Sequence, residues 1–551
     1  MKVLMIDCDT LRPDHLGCYG YPRNTSASID SVAGDGVCFA DYYCSDAPCL
    51  PSRAALMTGK FGFHTGVVGH GGTAADMRLD GPERAFGDRN DTSNLPTYFR
   101  HHGMYTASIS TFAERHGAWW FNAGFNETLN LGTGGMESAE AVTPLALDWL
   151  ERNKDREDWF LHVHYWDPHT PHRAPAAMGN PFENEPAPQM KWMDETLLQN
   201  HRNAVGPHTA QDLSMYDDKV DPDRRQLGRV DTLADFKQNI DNYDCGIYWM
   251  DKNIGQILDL LKRQGIYEDT AIIITADHGE NEGELGIYNE HGTADEATTH
   301  IPLIIKWPGC EAGAKKRGLL YNVDLLPTMA QLLDRTPGAM GKTSTNCGFL
   351  PQPNMEDCDG ISFAEAILPQ AFEPAVAPTQ TPAATAQVQA PAAAAAQAQT
   401  PAAAGSQMQG KADTPPAACG RPYLVVSQCA HVCQRAVRFG DWLYIRTYHD
   451  GFHLFDDEML FNIAQDPHEL CDVKEQHPDI CHEAVYYLEQ WTTENMKKQV
   501  KCCQIDPLWT VIAEGGPFHA KGNLKAYTRR LEATGRGWGI EELMRRHPEE
   551  F

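Results

Sequence analysis

Five short apolar runs divide the first part of the chain: Val3–Ile6, Tyr105–Ile109, Phe160–Tyr165, Ala271–Thr275 and Leu303–Lys306. Each is short and apolar enough to be a buried strand. The stretches between them, including Val142–Asn153 and Tyr243–Gln264, carry apolar residues at helical spacing. An order of β, α, β that recurs in this way leaves few solutions, because parallel strands need long crossovers and a helix supplies one. The expected architecture is α/β, a mostly parallel sheet flanked by helices. In such a sheet ligands collect beyond the carboxyl ends of the strands, so the residues just after each run are the ones that carry chemistry.

At 551 residues the chain exceeds one simple core, and a second unit is expected. Residues 1–370 read as the α/β domain. Residues 371–418 collapse to Ala, Pro, Gln and Thr and read as a flexible linker or insertion, with Pro recurring too often for a stable helix. Residues 419–551 read as a smaller α+β subdomain: antiparallel strands over Arg421–Ile463, then helical patterns from about Pro478. The net charge of −29 repels polyanions, so neither nucleic acid nor an anionic membrane is an expected partner. An anionic substrate would need a local basic pocket. No apolar run is long enough to span a bilayer, and Met1–Asp7 enters a strand pattern without the apolar region of a signal peptide. These features lead us to expect a cytoplasmic protein whose sixteen cysteines are mostly reduced and buried.

The sharpest motif is Cys49-Leu50-Pro51-Ser52-Arg53, followed by Ala54-Ala55-Leu56-Met57-Thr58-Gly59. Taken alone it could be a buried cysteine before a helix. It also resembles the signature of the sulfatase family, Cys-x-Pro-Ser-Arg before an apolar helix ending in Thr-Gly. The resemblance implies an alkaline-phosphatase-like fold. It further implies that a formylglycine-generating enzyme, or an anaerobic sulfatase-maturating enzyme, oxidises Cys49 to formylglycine, with Arg53 supporting that nucleophile.

Other segments resemble the family in order. Alternation along the first strand puts Asp7 and Asp9 on one side. The family's first metal aspartate falls on Asp9; Thr10 stands where a second often follows, leaving Asp7 or a water to replace it. Asp277-His278-Gly279 resembles the second metal half-site, and the segments at His300–Gly309 and Asn322–Thr328 follow as in the family. Oxygen donors favour Ca²⁺, with Mg²⁺ or Mn²⁺ as alternatives. Pro168-His169-Thr170-Pro171 places the family's sulfate-contacting histidine on His169, a cationic or donating imidazole able to protonate the leaving group. His162 and His164 read as core histidines. Two lysines common in the family are replaced here, by Thr111 and by His291. A threonine at the first of these positions resembles the related phosphonate and phosphate-ester hydrolases.

His70, Thr111 and His116 are expected to bind substrate, with His64 and Arg115 as further candidates from sequence proximity. Trp119, Trp120 and Trp166 could stack on a sugar or lie in the core. Cys429-Ala430-His431-Val432-Cys433 matches no zinc spacing and reads as structural. Together the motifs imply hydrolysis of sulfate esters on a sulfated carbohydrate such as a glycosaminoglycan-derived mono- or oligosaccharide. A phosphonate monoester or phosphodiester hydrolase with the same nucleophile and metal is the alternative, and an inactive sulfated-sugar-binding relative is the alternative of another class.

Overall fold

A computed structural model describes residues 1–78, 93–135, 137–213, 225–335, 358–368, 419–498 and 505–551. The Ala/Pro/Gln-rich segment, 371–418, lies outside the described residues. The large sheet contains β1 (Lys2–Cys8) and β2 (Val37–Phe39). The short β3 (Asp46–Ala47) belongs elsewhere. The large sheet continues with β4 (Tyr105–Ile109), β5 (Glu127–Leu129), β6 (Trp159–Tyr165), β7 (Thr270–Ala276), β8 (Leu303–Lys306) and β9 (Ala314–Lys316). Its strand order is β9-β2-β8-β7-β1-β6-β4-β5. From β7 to β5 every pairing is parallel, whereas β8 runs antiparallel to both its neighbours.

The central strands are buried along nearly their whole length. That burial explains why they read as continuous apolar runs and not as alternating ones. Long helices, Ala139–Arg152 and Leu233–Arg263, supply crossovers, the latter started by a capping box between Thr232 and Asp235.

The second sheet is built from β10 (Tyr423–Gln428), β11 (Cys433–Phe439), β12 (Trp442–His449) and β13 (Glu458–Asn462), antiparallel throughout, with helices from Pro478 onward. Its fifth strand is β3, paired in parallel with β10 at Ser427 and Gln428. The boundary expected near residue 419 is therefore crossed by the residues immediately before Cys49. The C-terminal sheet anchors the segment that leads into Cys49. No helix among the described residues is long and apolar enough to cross a membrane.

Candidate active site

Register brings the chemistry together. Asp7 pairs with His164 across β1 and β6, and Cys8 with Ala276 across β1 and β7. Asp9, Asp277 and the 167–169 turn thus leave adjacent strands at the same edge. Cys49 opens the helix Cys49–Thr58, with Arg53 one turn later on the same face. Ser52 fixes that helix: its hydroxyl donates to the Asp277 carbonyl (2.6 Å), and its own carbonyl accepts from Asn322 Nδ2 (3.1 Å). The Asn322 side-chain oxygen accepts from the Ser45 amide (3.0 Å), so one asparagine ties the strand before Cys49 to the helix after it.

Arg53, fully buried, is the hub. Its Nε and Nη2 grip both oxygens of Asp7 (2.8 and 3.1 Å), and Nη1 reaches Asp9 (3.0 Å) and Asp277 (2.5 Å). Nη2 also donates to His164 Nε2 (2.7 Å), and the guanidinium lies over the Phe112 ring. Asp7 therefore differs from its expected role. Both its oxygens are spent on Arg53, and it orients that residue instead of facing an ion. His162 and His164 are buried, as the core reading expects, and they also brace the site. Their Nδ1 atoms lie 3.0 Å from Ser108 and Ser110 hydroxyls, and their Nε2 atoms lie 3.4 and 3.3 Å from Asp7 and Asp9.

Asp9, Cys49, Asp277 and His278 each offer a donor atom, all within 4.8 Å of one another. Cys49 Sγ lies 3.1 Å from His278 Nε2. The set fits a divalent cation on three grounds. Asp9 Oδ1 is buried without a hydrogen-bond partner. His278 Nδ1 donates to the Gly279 carbonyl (2.8 Å), and burial holds its pKa well below that of a free imidazole, so Nε2 presents a lone pair. Three carboxylates also share one guanidinium. Burial pushes the Asp277 carboxyl well up despite Arg53, with Asp9 and Asp7 adding to the rise, whereas at Asp9 the attraction of Arg53 and His164 outweighs burial and lowers it.

Imidazoles line the other side. His291 packs against His278 (ring centroids 4.2 Å apart) and His169 (5.4 Å). The two differ in charge. Burial drives His169 down to about 3, so of the cationic or donating imidazole that the sequence led us to expect, the cationic form is not the one present. Its Nδ1 donates to the Thr170 carbonyl (2.7 Å), which leaves Nε2 as an acceptor. At His291 burial is opposed by Glu290, 3.0 Å away, and the imidazole is raised above its ordinary value. His70 and His116 sit together (5.1 Å), with Arg115 exposed beside them over Trp166.

Thr111 is placed differently from its expected role: its hydroxyl donates to Glu137 and accepts from Trp166 Nε1 (3.1 Å), which leaves it committed inside the fold. His64 turns away, toward Asp359 and the Asn495 carbonyl. Trp120 and Trp166 are core residues, and only Trp119 of the three is exposed. The C-terminal unit adds two histidines that the sequence reading did not assign. His431 stacks on His519 (4.2 Å) and approaches His291 (5.6 Å), while Gln428 Nε2 donates to the His291 carbonyl (2.6 Å). Cys429 and Cys433 are buried among Val68, Leu508 and Val511, as structural cysteines should be.

The architecture is the alkaline-phosphatase-like fold of the solved structures it superposes on. One solved structure sharing it, a protein in complex with its substrate D-glucosamine-2-N,6-O-disulfate, superposes with a TM-score of 0.60 at 17% identity over 90% of this chain and 98% of that one. A phosphonate monoester hydrolase from Silicibacter pomeroyi superposes with a TM-score of 0.57 at 18% identity, covering 93% and 97% of the two chains. The family model for sulfatases matches residues 2–335, and the chain belongs to the sulfatase family. Human iduronate 2-sulfatase is 25% identical over 390 residues, which is 61% of this chain and 65%, just under two thirds, of the human protein.

Proposed function

We propose that the protein hydrolyses sulfate esters of a carbohydrate, with residue 49 as the nucleophile after oxidation of Cys49 to formylglycine by a maturating enzyme. The observation that carries this reading is the position of Cys49 Sγ, 3.1 Å from His278 Nε2 and inside the donor group formed with Asp9 and Asp277. As a thiol the residue is poorly suited to attack. Burial, reinforced by Asp9 and Asp277, raises its pKa well above the ordinary thiol value, so the thiolate is suppressed. A hydrated aldehyde offers hydroxyls in the same place.

Asp9, Asp277 and His278, with residue 49, would hold one divalent cation, Ca²⁺ by its carboxylate donors or Mn²⁺ or Mg²⁺ as alternatives. When bound, the cation supplies positive charge that lowers a neighbouring hydroxyl's pKa and offsets the charge of the ester. Arg53 keeps the carboxylates in register by forked hydrogen bonds. A residue-49 hydroxyl gives up its proton to solvent water, its oxygen bonds to sulfur as the bond to the sugar oxygen breaks, and His291, the imidazole biased toward its protonated form, donates the proton the leaving alkoxide needs. Neutral His169 accepts the proton of the second hydroxyl, and the electron pair released expels sulfate and restores the aldehyde. The roles follow from the opposite charge bias of two imidazoles in contact.

The carbohydrate assignment draws on the named relatives, an iduronate sulfatase and a protein crystallised with a sulfated glucosamine. It is also supported by Arg115, an exposed cation beside His70 and His116 in an otherwise acidic chain, although burial keeps both of those imidazoles neutral. Release of sulfate from a panel of desalted sulfated oligosaccharides tests it, run beside paired aryl sulfate and aryl phosphonate esters. Faster turnover of the phosphonate ester, with no sulfate released from any sugar, would overturn the proposal.

A further inference from the structure

A second group of titratable side chains lies beyond the proposed site and takes no part in the mechanism. His172, Glu280 and Glu282 are completely buried, and each offers a donor atom within 4.8 Å of the others. Among the described residues, both side-chain oxygens of Glu280, Oε1 of Glu282 and Nε2 of His172 make no hydrogen bond of ordinary geometry; the Thr170 amide approaches Glu280 and the Asn289 side chain approaches His172. His172 Nδ1 lies 2.9 Å from the Pro168 carbonyl and donates to it, so the ring turns its Nε2 lone pair toward the carboxylates. The other Glu282 oxygen accepts from Asn239 Nδ2 (2.5 Å), which holds that carboxylate in place.

The nearest guanidinium does not neutralise them. Arg12 spends Nε and Nη2 on Asp14 and Glu284, and Nη1 donates to the main-chain carbonyl of Glu280, not to its carboxylate. Two buried carboxylates that share one well-formed donor, Asn239 Nδ2, and have no direct ion pair of their own among the described residues are strongly unfavourable in their charged form. A shared proton would satisfy one oxygen and leave the remaining lone pairs unmet. A cation satisfies all four orphaned atoms together.

We propose that His172, Glu280 and Glu282 bind a second divalent metal ion, distinct from the one assigned to Asp9, Asp277 and His278. One imidazole and two carboxylates make three protein ligands, the number a Zn²⁺ or Mn²⁺ site takes, whereas residue 49 brings a further oxygen donor to the Asp9 site and moves that one toward Ca²⁺. Zinc–ligand bonds of about 2.0–2.2 Å bring donor atoms to within about 4.4 Å of one another, so small side-chain rotations close the observed spacing. Because all three residues are enclosed, the ion enters during folding and exchanges slowly. The site stands apart from the residue-49 chemistry: a metal count does not depend on whether Cys49 is oxidised.

The test is metal analysis of the full-length protein, purified from cells supplied with Zn²⁺ and Mn²⁺ and dialysed into metal-free buffer. Glu282→Gln and His172→Gln are each expected to lose about one equivalent of Zn²⁺ or Mn²⁺ relative to wild type, and Asp277→Asn to retain that equivalent. Thermal unfolding supplies an independent sign. With an ion in place, Glu282→Gln lowers Tm because a ligand is lost. Unchanged Zn²⁺ and Mn²⁺ content in either variant, or a raised Tm for Glu282→Gln, overturns the proposal. If Glu282→Gln does not fold, His172→Gln decides alone, since it keeps both carboxylates and removes only the imidazole.

Discussion

Replacing Glu290 by Gln keeps the volume of the side chain beside His291 and removes its charge. In the structure Glu290 Oε1 lies 3.0 Å from His291 Nε2, with both groups largely enclosed. A charge-assisted hydrogen bond of this kind is worth about 1.5–3 kcal/mol, and at about 1.4 kcal/mol per pKa unit its loss lowers the His291 pKa by about one to two units. The sign follows from direction. His291 is raised in the folded protein by Glu290 against the opposing effect of burial, so the protonated acid is present at low pH and lost as pH rises through that raised value. The alkaline limb of kcat/KM should therefore move about one to two pH units toward acid in Glu290→Gln, with little change of rate on the acid side of both limbs. A pH–rate profile of an aryl sulfate ester from pH 5 to 9 measures this shift. An alkaline limb that stays in place would refute the assignment of His291 as the proton donor and of Glu290 as the group that keeps it charged.

Four further outcomes follow. Arg53→Lys breaks the fork to Asp7 and leaves buried carboxylates unpaired, which costs about 3–5 kcal/mol; denaturant unfolding should show a lowered midpoint, and an unchanged one contradicts the hub role. Asn322→Ala orphans the Ser45 amide and weakens the hold on Ser52, at a cost of about 1–3 kcal/mol; differential scanning calorimetry should show the loss together with a fall in kcat. Asp9→Asn should abolish turnover while circular dichroism remains native, because the carboxylate with the orphaned oxygen is the proposed ion's anchor. Chelation should likewise remove activity and Ca²⁺ or Mn²⁺ should restore it, whereas full activity in excess chelator would argue against any cation at Asp9, Asp277 and His278.

The strands of the large sheet were legible because burial on both faces writes itself as unbroken apolar runs; Tyr105–Ile109 and Leu303–Lys306 coincide with the observed strands to the residue. The direction of β8 was not legible, since an apolar run looks the same in either orientation. At the site, the resemblance to the sulfatase family placed Asp9, Cys49, Arg53, Asp277 and His278 together, and the structure finds each of them just beyond a strand or in the first turns of a helix. Asp7 shows the limit of alternation: it identified the correct side of β1 but not that Arg53 would take both oxygens. Thr111 was assigned through a missing lysine, whereas its partner Glu137 is distant in sequence and carries no motif. Glu290, Asn322, His431 and His519 took their places only through tertiary closure. In particular, β3 joins the C-terminal sheet and carries that unit's histidines toward His291. A residue pair brought together across a hundred or more positions leaves no periodic trace.

The central claim is that the active protein carries an oxidised residue 49 among the metal donors. Mass analysis of the peptide spanning residue 49, taken from a preparation of measured specific activity, addresses it directly. The account predicts that sulfur and two hydrogens are replaced by one oxygen at that position, in a proportion that rises and falls with activity across preparations. A fully active preparation in which residue 49 is everywhere an intact thiol would contradict it.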